Sequence, residues 1–172
     1  MLDLATPDDH AAIVTLVNHA YRGGGEKDSW NTESGVLSGA RITLEQLRHD
    51  LEITPNARIL VHRAAGNALR GSVWLQPLDA DEWYLGMLAI DPTAQALGVG
   101  RGMLAAIEAY VAGQGGRRIR MTVLNVRETL ITWYERRGYG RTGETEAFPY
   151  GDNRFGTPLR DDLVFVVLGK AL

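Results

Sequence analysis

Residues 85–101 read Leu85-Gly-Met-Leu-Ala-Ile-Asp-Pro-Thr-Ala-Gln-Ala-Leu-Gly-Val-Gly-Arg101. An apolar run with strand character ends at Asp91-Pro92, the chain turns, and Gln95-x-x-Gly98-x-Gly100 opens a helix that continues through Met103, Ala106 and Tyr110. Closely spaced amides without obstructing side chains, aimed outward at the positive end of a helix, form an anion site. A phosphorylated cofactor is the natural guest of such a loop.

Working outward, residues 83–90 form the strand before the loop and about 98–112 the helix after it, stopped by Gly113, Gly115 and Gly116. Residues 119–124 alternate as the next strand, so a right-handed crossover with a parallel strand pair is expected here. Upstream, 58–63 and 69–75 read as an antiparallel pair joined through Gly66-Asn67. Two amphipathic helices precede them. One covers about 7–21, with Ile13, Leu16, Val17 and Ala20 on one face; the other starts at the capping box Thr43-Leu-Glu-Gln46 and ends near Pro55. Residues 1–5 suit a short first strand, and 22–41 have no period, as expected of a functional loop.

Downstream, Asn125-Val-Arg-Glu128 resembles a capping box with Asn125 in the cap position. Leu130, Ile131 and Tyr134 follow at helical spacing, and Gly138 suits the helix end. A strand near 139–146, an aromatic loop with Phe148, Tyr150 and Phe155, and a last strand at 163–168 complete the order. The fold class is therefore α/β (α+β), a three-layer αβα sandwich around one mixed sheet, with residues 1–172 as a single domain.

The formal charge of −3 provides no broad basic footprint, so nucleic acid is not expected as the main partner. The absence of cysteine excludes disulfides, thiolate–metal sites and a cysteine-bound acyl intermediate. His10, His19, His49 and His62 are scattered without metal-ligand spacing, so no metal is expected. No apolar run approaches membrane-span length, and a cytoplasmic protein without a membrane partner is the expectation.

A glycine pair opening a helix has several readings. The dinucleotide fingerprint needs Gly-x-Gly-x-x-Gly, which Gly98, Gly100 and Gly102 do not supply, and the P-loop needs Gly-Lys-Ser/Thr where this chain has Gly100-Arg101-Gly102. The glycines could also serve only to pack the helix closely on the sheet. Arg101 in the first helical turn opposes the macrodipole unless an anion lies nearby.

Gln95-x-x-Gly98-x-Gly100 after a strand ending Asp91-Pro92, with Trp133-Tyr134-Glu135-Arg136-Arg137-Gly138-Tyr139 further on, resembles the GCN5-related N-acetyltransferase (GNAT) superfamily. The resemblance extends over most of the chain. It implies a centrally splayed sheet and acetyl-CoA (CoA) as cofactor. The pantetheine arm would lie along Leu88-Ala89-Ile90, pairing with backbone at Leu88 and Ile90. The pyrophosphate would rest on the amides of Ala96, Leu97, Gly98, Val99, Gly100 and Arg101.

The Leu88 amide, where the family usually has a bulge, would stabilise the oxyanion, and Tyr134 would protonate the departing thiolate. Without the motif, Tyr134 reads as a core tyrosine. Where the family often has Asn seven residues before the tyrosine, this chain has Arg127; Asn125, two residues earlier, is either a cofactor contact or simply the helix cap. The base is left open between water relayed by Tyr84 and a carboxylate such as Glu26 or Glu33. The clusters Arg117, Arg118, Arg120 and Arg136, Arg137, Arg141 are either solvated faces or contacts for the cofactor's 3′-phosphate.

The acceptor pocket is expected between the 22–42 and 147–160 loops, with Trp30, Phe148, Tyr150 and Phe155 as walls. Acidic Glu26, Asp28 and Glu33 would suit a cationic amine. The leading expectation is an N-acetyltransferase that moves an acetyl group to a primary amine of a small molecule, amino acid or peptide by direct attack in a ternary complex. A catalytically silent acyl-CoA-binding or sensing module is the alternative. A homodimer, formed through a sheet edge or the aromatic loop, is a third reading.

Overall fold

A computed structural model describes residues 2–24 and 29–172. In chain order its principal elements are β1 (Asp3–Leu4), α1 (His10–Arg22), β2 (Leu37–Ser38), α2 (Leu44–Ile53), β3 (Arg58–Arg63), β4 (Leu69–Pro77), β5 (Glu82–Ile90), α3 (Val99–Gly113), β6 (Arg118–Leu124), α4 (Glu128–Glu135), β7 (Gly140–Ala147), β8 (Thr157–Pro158) and β9 (Val164–Ala171). Seven strands form one mixed sheet in the order β1-β3-β4-β5-β6-β9-β7, and β2 pairs with β8 in a separate two-stranded strap.

The alternation of apolar residues on the strands assigns the helices to faces. Ile59 and Val61 of β3 belong to one core cluster with Ile13, Leu16 and Val17 of α1 and Leu47 of α2, whereas Leu60 belongs to another with Met103, Leu104 and Ile107 of α3 and Ile131 of α4. That is the expected three-layer sandwich. The Thr43 capping box forms as read, with Thr43 N–H donating to Gln46 Oε1 and Gln46 N–H to Thr43 Oγ1. No helix among the described residues is long and apolar enough to cross a membrane.

Two irregularities in β5 open the centre of the sheet. Ser72 opposes Ala89 and Trp74 opposes Gly86, so Val73 alone faces Met87 and Leu88. This bulge places Met87 at φ 51°, in the left-handed region. It also reverses the strand's facing: Trp83 and Leu85 pack on the α3 side, but after the bulge it is Leu88 and Ile90 that do so, while Met87 and Ala89 turn to α1. The second irregularity is a short parallel pairing, in which β5 meets β6 only over Glu82–Tyr84 and Arg118–Arg120. Beyond Tyr84 the strands part, leaving main-chain groups at the heart of the domain without a neighbouring strand.

Asn125 departs from its expected place. The residue at the cap of α4 is Arg127. Asn125 instead clamps the entry to β9, donating from Nδ2 to Asp162 O at 3.0 Å and accepting at Oδ1 from Val164 N–H at 3.1 Å. These two bonds hold the amide against the neighbouring strand's backbone, so the side chain serves the start of β9. Asn125→Ala should therefore lower unfolding free energy by about 1–3 kcal/mol, as read by urea denaturation.

Candidate active site

Two cavities meet where β5 and β6 separate. The first, about 440 Å³, lies between the loop after β5, the start of α3 and α4, and includes Leu88, Ile90, Leu97, Gly98, Gly100, Arg101, Trp133, Tyr134 and Arg137 in its walls. The second, about 300 Å³, lies on the other side of the splay, among Tyr84, Leu85, Gly86, Thr122, Val123 and the two long loops. Tyr21, Leu88, Leu130 and Tyr134 border both. These four residues thus stand at the junction of the two cavities.

The first cavity has the electrostatics of an anion site. Gly98 ends a single 3-10 turn (Gln95–Leu97) in the left-handed conformation, φ 75°, and α3 starts at Val99. Gly102 N–H reaches back to Gly98 O at 3.1 Å, and a helix's first amides have no intrahelical acceptor. A methyl group at Gly98 or Gly102 would meet nothing within 4 Å, so these two glycines are not there for helix–sheet packing. Gly100 is closer, with Trp133 and Ile90 3.6 Å from where its Cβ would stand.

Gln95, the first residue of the loop motif, has a role that spacing alone did not suggest. Its Nε2 donates to Ser29 Oγ at 2.8 Å and to Ile90 O at 3.4 Å, and its Oε1 accepts from Trp30 N–H. It pins the 29–30 segment to the end of β5. Trp30 consequently borders the first cavity, not the acceptor side where it was expected.

Arg101 and Arg137 are the cations of this cavity. The Arg137 guanidinium stacks 3.6 Å above the Trp133 ring and donates to Trp133 O. Burial, then the charges of Arg136 and Arg101, push its pKa down, the response of cations gathered without an anion between them. Three other arginines of the two basic clusters are engaged elsewhere: Arg118 with Asp81 and Glu82, Arg120 with Glu144 and Glu146, and Arg141 with Glu128 and Glu135.

Tyr134 stands at the junction. Its ring is buried against Trp133 and Tyr139, at centroid distances of 5.0 and 5.6 Å. Its hydroxyl has no hydrogen-bond partner among the described residues. Burial, reinforced by Tyr21, holds the phenol well above the ordinary tyrosine range, with Arg127 pulling the other way. The Tyr21 phenol, also raised by burial to about 12, donates to Leu88 O at 3.3 Å.

The two loops expected to flank an acceptor do wall the second cavity, and the β2–β8 strap ties them together. Phe148 lines it, as do Glu33, Phe155 and Tyr84, whose hydroxyl lies 3.0 Å from Thr122 Oγ1 across the gap between β5 and β6. Tyr150 lies outside both cavities: its hydroxyl accepts from Leu163 N–H and donates to Arg160 O, which braces the loop. Glu26 and Asp28 fall outside the described residues.

Glu33 is not a free carboxylate. Arg22 Nη1 lies 2.6 Å from Oε2 and Arg127 Nη1 2.7 Å from Oε1, with all three side chains nearly buried. Arg127 also donates to Asn31 O, and Arg22 to Gly39 O and Phe155 O. Three residues scattered in sequence thus build one polar hub beneath the second cavity. Arg127 had been read only as a replacement for an expected Asn; nothing in its local sequence announced a partner 94 residues away.

Among the cofactor candidates, Leu88, Ile90, Leu97, Gly98, Gly100 and Arg101 converge on the first cavity. Ala89 faces α1 and Val99 packs into the core, so only their backbone is placed to contribute; Ala96 belongs to the 3-10 turn. Asn125 borders neither cavity.

Comparison with known proteins agrees with this geometry. No curated protein is similar enough in sequence to count as a match. Solved structures are similar over the whole chain at low identity. A putative phosphinothricin N-acetyltransferase has 14% identity and a TM-score of 0.71, covering 100% of this chain and 98% of that one. The ribosomal-protein-alanine N-acetyltransferase from Brucella melitensis has 17% identity and a TM-score of 0.70, covering 100% and 99%. A GNAT family acetyltransferase from Elizabethkingia anophelis with acetyl-CoA bound has 14% identity and a TM-score of 0.68, covering 100% and 97%. The sequence profile of the Acetyltransferase (GNAT) family matches residues 27–139, more than half of the chain and including the whole of the glycine loop and Tyr134, and the chain therefore belongs to that family.

Proposed function

We propose that the protein is an acetyl-CoA-dependent N-acetyltransferase acting by direct attack of a primary amine in a ternary complex. The observation that carries this reading is the position of Tyr134, which borders both cavities and whose hydroxyl is unpartnered among the described residues. Acetyl-CoA would occupy the first cavity, supplying an activated thioester. Its pyrophosphate is assigned to the amides of residues 96–101 with Arg101 and Arg137 alongside, and its pantetheine arm to the backbone of Leu88 and Ile90.

The amine would enter from the second cavity. The Leu88 amide is the proposed donor to the negative charge developing on the thioester oxygen, and Tyr134 the proposed acid for the leaving thiolate. With Glu33 neutralised by two arginines, Tyr84 and Thr122 are the better-placed route for the amine's proton to water. The resemblance to a structure with acetyl-CoA bound and the excess of cations around the first cavity both support the cofactor assignment.

Release of CoA thiol on mixing acetyl-CoA with a panel of amines tests the activity. Cofactor binding without turnover on any amine would instead favour a sensing module. Gly100→Glu tests the loop: there is room for the Cβ, but a carboxylate beside the cradle repels phosphate. Calorimetry should show CoA affinity reduced at least about 10-fold. Unchanged affinity in the folded variant would reject the phosphate assignment.

A further inference from the structure

Four charged residues border the second cavity: Glu33, Arg41, Arg127 and Glu146. Three of them are paired. Glu33 and Arg127 neutralise each other, with Arg22 as a second cation on the same carboxylate. Glu146 lies 3.2 Å from Arg120, which it shares with Glu144. Arg41 is different: among the described residues it has no ion pair, and its guanidinium donates no hydrogen bond.

Its position is nevertheless fixed. The guanidinium carbon lies 5.4 Å from the Tyr21 ring centroid and 4.9 Å from that of Phe155. Aromatic faces attract a cation but supply no counter-charge and no oxygen acceptor, so the guanidinium held there has yet to meet an oxyanion. The backbone is held as well, since Asn18 Oδ1 accepts from Arg41 N–H at 2.6 Å and Asn18 Nδ2 donates to Ile42 O at 2.9 Å. An ordered cation on a cavity wall, short of one counter-charge, is a prepared half of a salt bridge.

We propose that the acceptor amine carries a carboxylate, as an amino acid does, and that Arg41 pairs with that carboxylate while the amine points toward Leu88 and Tyr134. The inference rests on the acetyltransferase reading for the amine, but the anion site stands on the charges alone. The cavity, about 300 Å³, suits an amino acid in size. A polyamine is disfavoured, because both carboxylates on the described walls are already held by arginine. A peptide N-terminus is disfavoured too, since its first carboxyl group is a neutral amide.

The test is calorimetry on the CoA-saturated protein with N-acetyl derivatives of glycine, alanine, methionine, glutamate and phenylalanine, each beside its carboxamide. At least one acid is expected to bind about 10- to 100-fold more tightly than its amide. Arg41→Gln should erase that difference, and Arg41→Lys should keep part of it, while CoA affinity stays unchanged in both. Equal affinity for acids and amides, no binding of any acid, or a preference that survives Arg41→Gln would overturn the proposal. Thiol release from acetyl-CoA with the free amino acids and their decarboxylated amines separates the two readings. Arg41-dependent acid binding without turnover leaves the anion site and removes the transferase; turnover that ignores the carboxylate does the reverse.

Discussion

Replacing Tyr134 by Phe is expected to lower kcat for thiol release about 100- to 1,000-fold, the usual worth of a positioned general acid, while leaving CoA affinity within about two-fold of the parent. The phenyl ring keeps its edge contacts with Trp133 and Tyr139. The hydroxyl removed has no partner among the described residues, so folding stability should change little; deleting a buried polar atom that makes no bond costs nothing in hydrogen bonding. A loss of rate without a loss of stability or of cofactor binding distinguishes an acid from a core tyrosine.

The pH dependence adds a second readout. Because burial and Tyr21 raise the Tyr134 phenol, it retains its proton through the range where an ordinary tyrosine, near 10, would begin to lose it. The parent's kcat should therefore show no falling limb up to about pH 10 attributable to this group. An unchanged kcat in Tyr134→Phe would remove Tyr134 from the chemistry.

Elements whose apolar residues repeat over several turns or strand alternations were legible in the sequence. The helix face of Ile13, Leu16, Val17 and Ala20 and the strand residues Ile59 and Val61 declare their period locally, and each is buried as that period requires. The glycine loop was legible for another reason: the left-handed φ at Gly98 is a backbone conformation that few residue types other than glycine adopt. Hidden from the sequence were the side chains whose meaning depends on distant partners. Asn125 looks like a cap because a cap is the nearest use for its amide, yet β9 brings Asp162 O and Val164 N–H within reach. Trp30 falls on the wall of the first cavity because Gln95, 65 residues later, holds its backbone there. The β2–β8 strap is too short, at two residues a strand, to have a period at all.

Glu33 illustrates the same limit with the largest energetic consequence. Its surroundings in sequence are polar loop, and a solvated carboxylate or a base would be the natural readings. The folded chain buries it between Arg22 and Arg127, with side-chain exposures of 9, 10 and 7% for Glu33, Arg22 and Arg127. Glu33→Gln keeps the shape but leaves two buried guanidinium groups without a counter-charge. Removing one partner of such a buried pair costs about 3–5 kcal/mol, far more than the pair contributes in excess of an apolar replacement. Urea denaturation should show a loss of that order. The same two arginines hold Gly39 O, Phe155 O and Asn31 O, so both loops around the second cavity should loosen and the acceptor KM should rise before CoA affinity changes. A catalytic base would behave otherwise: Glu33→Gln would then remove at least about 100-fold from kcat and abolish the acid limb of its pH profile, with stability preserved. The ratio of stability lost to rate lost thus decides whether this carboxylate builds the acceptor site or works in it.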